Sequence, residues 1–275
     1  MRFPHIGDQM FNRLSNHSLA KCKIVSKTWY YFIINEKFYK QRVNYEIIQK
    51  NKDENGQTHL HQKARNGQFS DIKLIIDHIE NKNPADNHGW TPLHFAAQRG
   101  HLDNCKLIFA RIVDKNPASN YGSTPLHVAA ENGHLDICKL IIENIADKNP
   151  ASKSGWTPLH WAAWKGHLNI CKLIIEKIAD KNPASNIGFT PLHFAARIGH
   201  LDICKVIIEK IVDKNPASKS GCTPLHCTAR NGNLDICRLI IENVDNKYPF
   251  DKHGRTPKDI AKQRNHFAVS QLFDS

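Results

Sequence analysis

The chain has 275 residues, 40% hydrophobic and 23% charged, with a formal net charge of +12. That length suits two domains, and the composition supports a folded core. The Met1 end lacks an apolar leader core, no run approaches the roughly 18 apolar residues of a membrane span, and Lys and Arg are too dispersed for a nucleic-acid patch. The sequence therefore predicts a soluble protein of the cytoplasm or nucleus, with neither membrane nor nucleic acid as partner.

Residues 1–50 carry nine Lys/Arg against three Asp/Glu, a net of +6 that suits an acidic partner surface. Leu19, Cys22, Val25, Trp29 and Ile33 fall on one helical face that needs covering. The order Phe3-Pro4, Ile6, Met10-Phe11, Leu14, Leu19, Cys22, Val25-Ser26-Lys27 and Trp29 resembles an F-box. Phe3 stands where that family has Leu, His5 where it has an acid, and the stretch from Pro4 to Leu14 is about one residue short. The resemblance implies docking on the Skp-type adaptor of a cullin–RING ubiquitin ligase. It carries that role onto Pro4, Ile6, Met10, Leu14, Leu19 and Val25, with Trp29 in the core of the module. The same residues also fit a plain helical cap on the longer C-terminal part of the chain. Residues 51–55 are polar and read as a short linker.

From Gly56 onward the chain repeats itself. Gly56, Gly89, Gly122, Gly155, Gly188, Gly221 and Gly254 recur every 33 residues without insertion or deletion. Thr91-Pro92-Leu93-His94 recurs at 124, 157, 190 and 223, followed by small pairs such as Ala96-Ala97, a Gly, an apolar run and Asp-Lys-Asn-Pro. Thr before Pro reads as a helix cap followed by a first helical residue that needs no amide hydrogen. Gly133 and its equivalents end the first helix, and Leu135, Cys138, Ile142 and Ile145 form the core face of a second.

This pattern resembles the ankyrin repeat over residues 56–275. The implied fold is an all-α solenoid of helix-turn-helix units with β-turn or hairpin loops, preceded by the small F-box-like helical module. One repeat cannot bury its own apolar face, so the stack supplies the core and the ends turn polar. The units read as a degenerate cap at 56–88, full repeats at 89–121, 122–154, 155–187, 188–220 and 221–253, and a truncated cap at 254–275.

Cys105, Cys138, Cys171, Cys204 and Cys237 hold one place in successive repeats. Units stacked roughly 8–10 Å apart hold equivalent Cα atoms beyond the ~7 Å reach of a disulfide. No C-x2-C pair nucleates a zinc site, so these read as buried thiols in a reducing compartment. Ten histidines fall in two repeat columns, His61 to His226 and His101 to His200, and the resemblance implies structural hydrogen bonds for them.

No phosphate loop or nucleophile motif appears, so the reading is non-enzymatic, with no cofactor or metal. Three position classes vary between repeats: after the turn Gly, after Thr-Pro-Leu-His, and after Ala-Ala. Trp161, Trp164 and Lys165 share a helical face there. If this face points outward, it makes a target-binding groove of Trp90, Phe95, Arg99, Trp156, Trp161, Trp164, Lys165, Phe189 and Phe194, centred on Trp156. Alternatively, these aromatics pack on neighbouring repeats. The resulting reading is a monomeric adaptor that recruits an unknown protein target to an SCF-type ubiquitin ligase. The rival is a scaffold or inhibitor without a ligase link. Near-identical repeats with an F-box resemble proteins of eukaryotes, large DNA viruses and some intracellular bacteria, so the compartment would be that of a host cell in the last two cases.

Overall fold

The computed structural model describes residues 52–77 and 79–274. The F-box-like segment, with Pro4, Ile6, Met10, Leu14, Leu19, Val25 and Trp29, lies outside the described residues.

Among the described residues, seven pairs of helices are arranged in chain order. They are α1 His59–Arg65 and α2 Phe69–Ile76; α3 Pro92–Arg99 and α4 Leu102–Phe109; α5 Pro125–Glu131 and α6 Leu135–Asn144; α7 Pro158–Lys165 and α8 Leu168–Lys177; α9 Pro191–Ile198 and α10 Leu201–Ile208; α11 Pro224–Asn231 and α12 Leu234–Ile241; α13 Pro257–Gln263 and α14 Phe267–Gln271. No strand occurs among the described residues. The loops between pairs are turns that stack on one another: Ser119 N–H donates to Ser123 O, and Asn120 N–H to His88 O in the loop before. Residues 53–57 form the same turn, since Asp53 N–H donates to Gln57 O and Asn87 N–H to Asn55 O. The polar stretch after residue 51 therefore opens the first unit of the stack.

The Thr-Pro-Leu-His motif builds each first helix. Thr157 is extended at φ −114° and caps α7, with Pro158 as its first residue. Leu159, Ala162 and Ala163 are fully buried, and the two alanines let adjacent first helices pack closely. The first helices of neighbouring units approach one another more extensively than the second helices do. Gly166 ends α7 at φ 84° and is needed twice over, because a Cβ there would lie 2.6 Å from the His200 ring as well.

The second helices bury most deeply a stripe that overlaps the expected one, with Cys138 and Ile142 in it and Leu135 and Ile145 packed part-covered against it. In α6 the buried residues are Ile137, Cys138, Ile141 and Ile142. Leu135 opens the helix and is half-covered, while Ile145 already has extended backbone beyond its end. Helical spacing through Cys138 and Ile142 fits both stripes. The covered one faces the paired first helix and the neighbouring repeats.

Asp-Lys-Asn-Pro joins the units by four local bonds. Asp147 Oδ1 accepts from Asn149 N–H (3.0 Å). Lys148 Nζ donates to the carbonyls of Ile142 and Ile145, where α6 ends. Asn149 Oδ1 accepts from Leu159 N–H (3.0 Å) at the start of α7. One tetrapeptide thus satisfies the open carbonyls of one helix and an open amide of the next.

Candidate aromatic binding face

The residue before each capping Thr and the fourth residue of the helix it caps meet across the helix start as a hydrophobic staple. This brings the first two variable position classes together. The staple pairs are Trp90 with Phe95 (ring centroids 5.2 Å apart), Trp156 with Trp161 (4.8 Å) and Phe189 with Phe194 (5.8 Å). In the remaining full repeats the pairs are Ser123 with Val128, and Cys222 with Cys227.

A ladder of histidines fixes these staples. His127 Nε2 donates to Trp156 O at 3.0 Å, while its Nδ1 accepts from Thr124 N–H (3.1 Å) and the Thr124 hydroxyl (2.9 Å). Nδ1 must be bare to accept a backbone N–H, so the ring is neutral with its proton on Nε2. The same bonds recur from His61 to Trp90 O and from His160 to Phe189 O. Burial pushes His94, His127, His160 and His193 down to about 4. In the second column, His200 Nε2 meets Trp164 O at 3.2 Å and His167 Nε2 meets Glu131 O at 3.0 Å. Both histidine columns are thus structural links between repeats.

Among the described residues, the densest aromatic contacts surround Trp156. Its ring lies 4.8 Å from Trp161, 5.5 Å from Trp164 in an edge contact, and 4.4 Å from Phe194 of the next repeat. Trp161 and Trp164 are 5.3 Å apart. Offset and edge contacts of this kind are worth about 0.5–1.5 kcal/mol per pair beyond burial. Lys165 Nζ sits 4.8 Å over the Trp164 ring and 3.8 Å from Glu131 Oε1. Toward the N-terminal end of the stack, Arg65 stacks on Phe95 at 4.2 Å.

The outward reading of these positions needs correction in its extent. Phe95 and Phe194 are buried at 6% exposure, held beneath the staples and the adjoining repeats. Trp90, Trp156, Trp161, Trp164 and Phe189 are half-buried, because the rings cover one another; Arg99 and Lys165 are exposed. The face is a prepacked aromatic platform edged by cations, with Arg197 and Arg230 exposed further along it. Sequence reasoning missed the stacked Arg65, which lies in the same variable class as Gln98 and Trp164. It also missed Tyr121 and Ile187, exposed at the loop tips (69% and 58%). Their signal is a further variable position, just before each turn Gly.

No group of three or more His, Cys, Asp or Glu among the described residues is placed to hold a metal ion. No helix of the described residues is long and apolar enough to cross a membrane.

The family model described as Ankyrin repeats (3 copies) matches residues 32–119, 110–185, 144–218 and 192–275. No curated protein matches the chain.

Proposed function

The chain belongs to the ankyrin repeat family, a family of generally non-enzymatic protein-interaction modules, and we propose that it uses its aromatic face to capture a segment of another protein and present it to a ubiquitin ligase. The observation that carries the capture half is the Trp156–Trp161–Trp164 platform with Phe194 beneath it. These rings hold one another in place before any partner arrives, so little side-chain entropy is lost on binding. The cations around them favour a segment that offers an apolar anchor flanked by acidic residues.

The presenting half rests on residues 1–50. Their Pro4, Leu14, Leu19, Val25 and Trp29 resemble an F-box, and the local excess of Lys and Arg suits an acidic Skp-type adaptor. Ligation would then be the work of partner subunits, and this chain would supply proximity. Such an adaptor would work in the cytoplasm or nucleus. A second reading is a scaffold or inhibitor without a ligase link. It is favoured by the first family match, which starts at residue 32 and so runs into the F-box-like segment.

A pull-down with a purified Skp-type adaptor separates the two readings. Capture by the wild-type chain, lost in the double variant Pro4→Ala/Leu14→Asp, supports the ligase adaptor. No capture by a folded wild-type chain leaves the scaffold reading.

A further inference from the structure

Two thiols meet at the start of α11. Cys222 precedes the capping Thr223, and Cys227 is the fourth helical residue, so they hold the staple positions that Trp156 and Trp161 fill two repeats earlier. Their sulfur atoms lie 3.9 Å apart. The two sulfurs differ in access: Cys227 is 4% exposed, whereas Cys222 is half-buried and reaches solvent.

The other described cysteines behave differently. Cys105, Cys138, Cys171, Cys204 and Cys237 are fully buried, each in its own repeat. Burial pushes the thiols of Cys105, Cys138 and Cys204 up to about 12 and that of Cys237 to about 11, which leaves them inert. Cys222 is pulled below its ordinary value. The hydrogen bond from Cys227 is the main cause, Arg230 and Arg197 assist, and burial and Asp251 oppose. Cys227 moves the other way, because it donates that bond and is buried. Metal capture is the weaker use of the pair, since a structural zinc site takes four ligands and, among the described residues, no third His, Cys, Asp or Glu joins these two.

We propose that Cys222 and Cys227 form a thiol–disulfide exchange site, in which half-exposed Cys222 attacks a small-molecule disulfide and buried Cys227 closes the product into an internal disulfide. In the first step the Cys222 thiolate bonds to one sulfur of the disulfide, whose S–S bond breaks to release a thiolate. In the second, the Cys227 sulfur bonds to Cys222 Sγ, the mixed S–S bond breaks, and the second small thiolate leaves with the Cys227 proton. Two protein thiols are oxidised and one small disulfide is reduced to two thiols. A disulfide has its sulfurs about 2.05 Å apart, so the pair must close by roughly 2 Å. Rotation of the Cys222 side chain from one staggered position to another can move its sulfur that far.

The two cysteines share one tryptic peptide, residues 220–230, with no other cysteine in it. The test incubates the folded full chain with oxidised glutathione, blocks remaining thiols, digests, and weighs that peptide. The wild type should give the peptide lighter by two hydrogens and unblocked. Cys227→Ala should stall with glutathione on Cys222, and Cys222→Ala should leave Cys227 unoxidised and free of glutathione. Circular dichroism confirms that each variant is folded. A folded wild type that keeps both thiols, or holds a lasting glutathione adduct, overturns the proposal and leaves an apolar staple of two small side chains only.

Discussion

The repeats at 155–187 and 221–253 share one backbone and differ in what they show to a partner. Both open with a capping Thr and a first-position Pro, both end the first helix at a left-handed Gly, and both bury the Leu of the motif completely. The histidine ladder runs through both, with His127 bonded to Trp156 O ahead of one staple and His193 bonded to Cys222 O ahead of the other. Yet the staple is Trp156–Trp161 in one and Cys222–Cys227 in the other. The scaffold therefore fixes where the staple sits and leaves its chemistry free. One repeat spends that freedom on an aromatic platform, the other on a pair of thiols.

If the scaffold is common to both regions, acid should undo them together, and this is the largest effect expected. His94, His127, His160 and His193 titrate near 4 in the fold because burial disfavours their charged form, against about 6.5 in the unfolded chain. A folded value below the unfolded one means that their full stability is present above pH 6.5 and is lost as pH falls toward 4. Each such histidine costs up to about 3 kcal/mol by pH 4. Urea unfolding followed from pH 7.5 to pH 4 should show midpoints that fall steeply below 6.5. Tryptophan fluorescence reads five tryptophans, three of them Trp156, Trp161 and Trp164, and circular dichroism reports all helices, the α11–α12 pair included. The two should fall together. Flat midpoints between pH 7 and pH 5, or fluorescence lost well before helicity, would break the picture of one shared ladder.

A smaller effect should separate the regions. Trp161→Val copies Val128, which occupies the same position on the same backbone one repeat earlier. The substitution removes the ring that contacts both Trp156 and Trp164 while keeping the helix. Peptides selected for binding to the wild-type chain should lose about 30-fold in affinity, or about 2 kcal/mol. Stability should fall by about 1 kcal/mol, measured by urea unfolding. Unchanged affinity would move the binding face away from the platform.

Much of the scaffold was legible because its signals are local. A Thr-Pro helix start, a Gly at a helix end and a paired alanine each act within a few residues of themselves, so the 33-residue spacing of these marks defined the units. The second-helix stripe was less legible, because helical spacing admits Leu135 and Ile145 as readily as Ile137 and Ile141. The deciding contacts come from other helices. The exposure of the variable residues was misjudged at Phe95 and Phe194 for a related reason. Variation between repeats marks positions that the backbone does not dictate, and a staple residue under its neighbour is as free to vary as one in solvent. The lysine caps at Lys148 and its equivalents bridge groups three and six residues earlier, and only the folded turn brings these together.

The smallest effect concerns charge at the platform's edge. Lys165 lies over Trp164 and 3.8 Å from Glu131, with both partners of the ion pair well solvated. An exposed pair of this kind is worth about 0–1 kcal/mol, so Lys165→Ala should leave urea stability nearly unchanged. Its influence on an acidic segment should appear in the approach rather than in the bound state, because an exposed rim charge steers encounter. Association with a selected acidic peptide should slow about two- to five-fold in low salt, with dissociation little altered. At 1 M salt, where screening acts within about 3 Å, the difference should vanish. A salt-independent loss dominated by faster dissociation would instead place Lys165 in direct contact with the target, beside the three tryptophans.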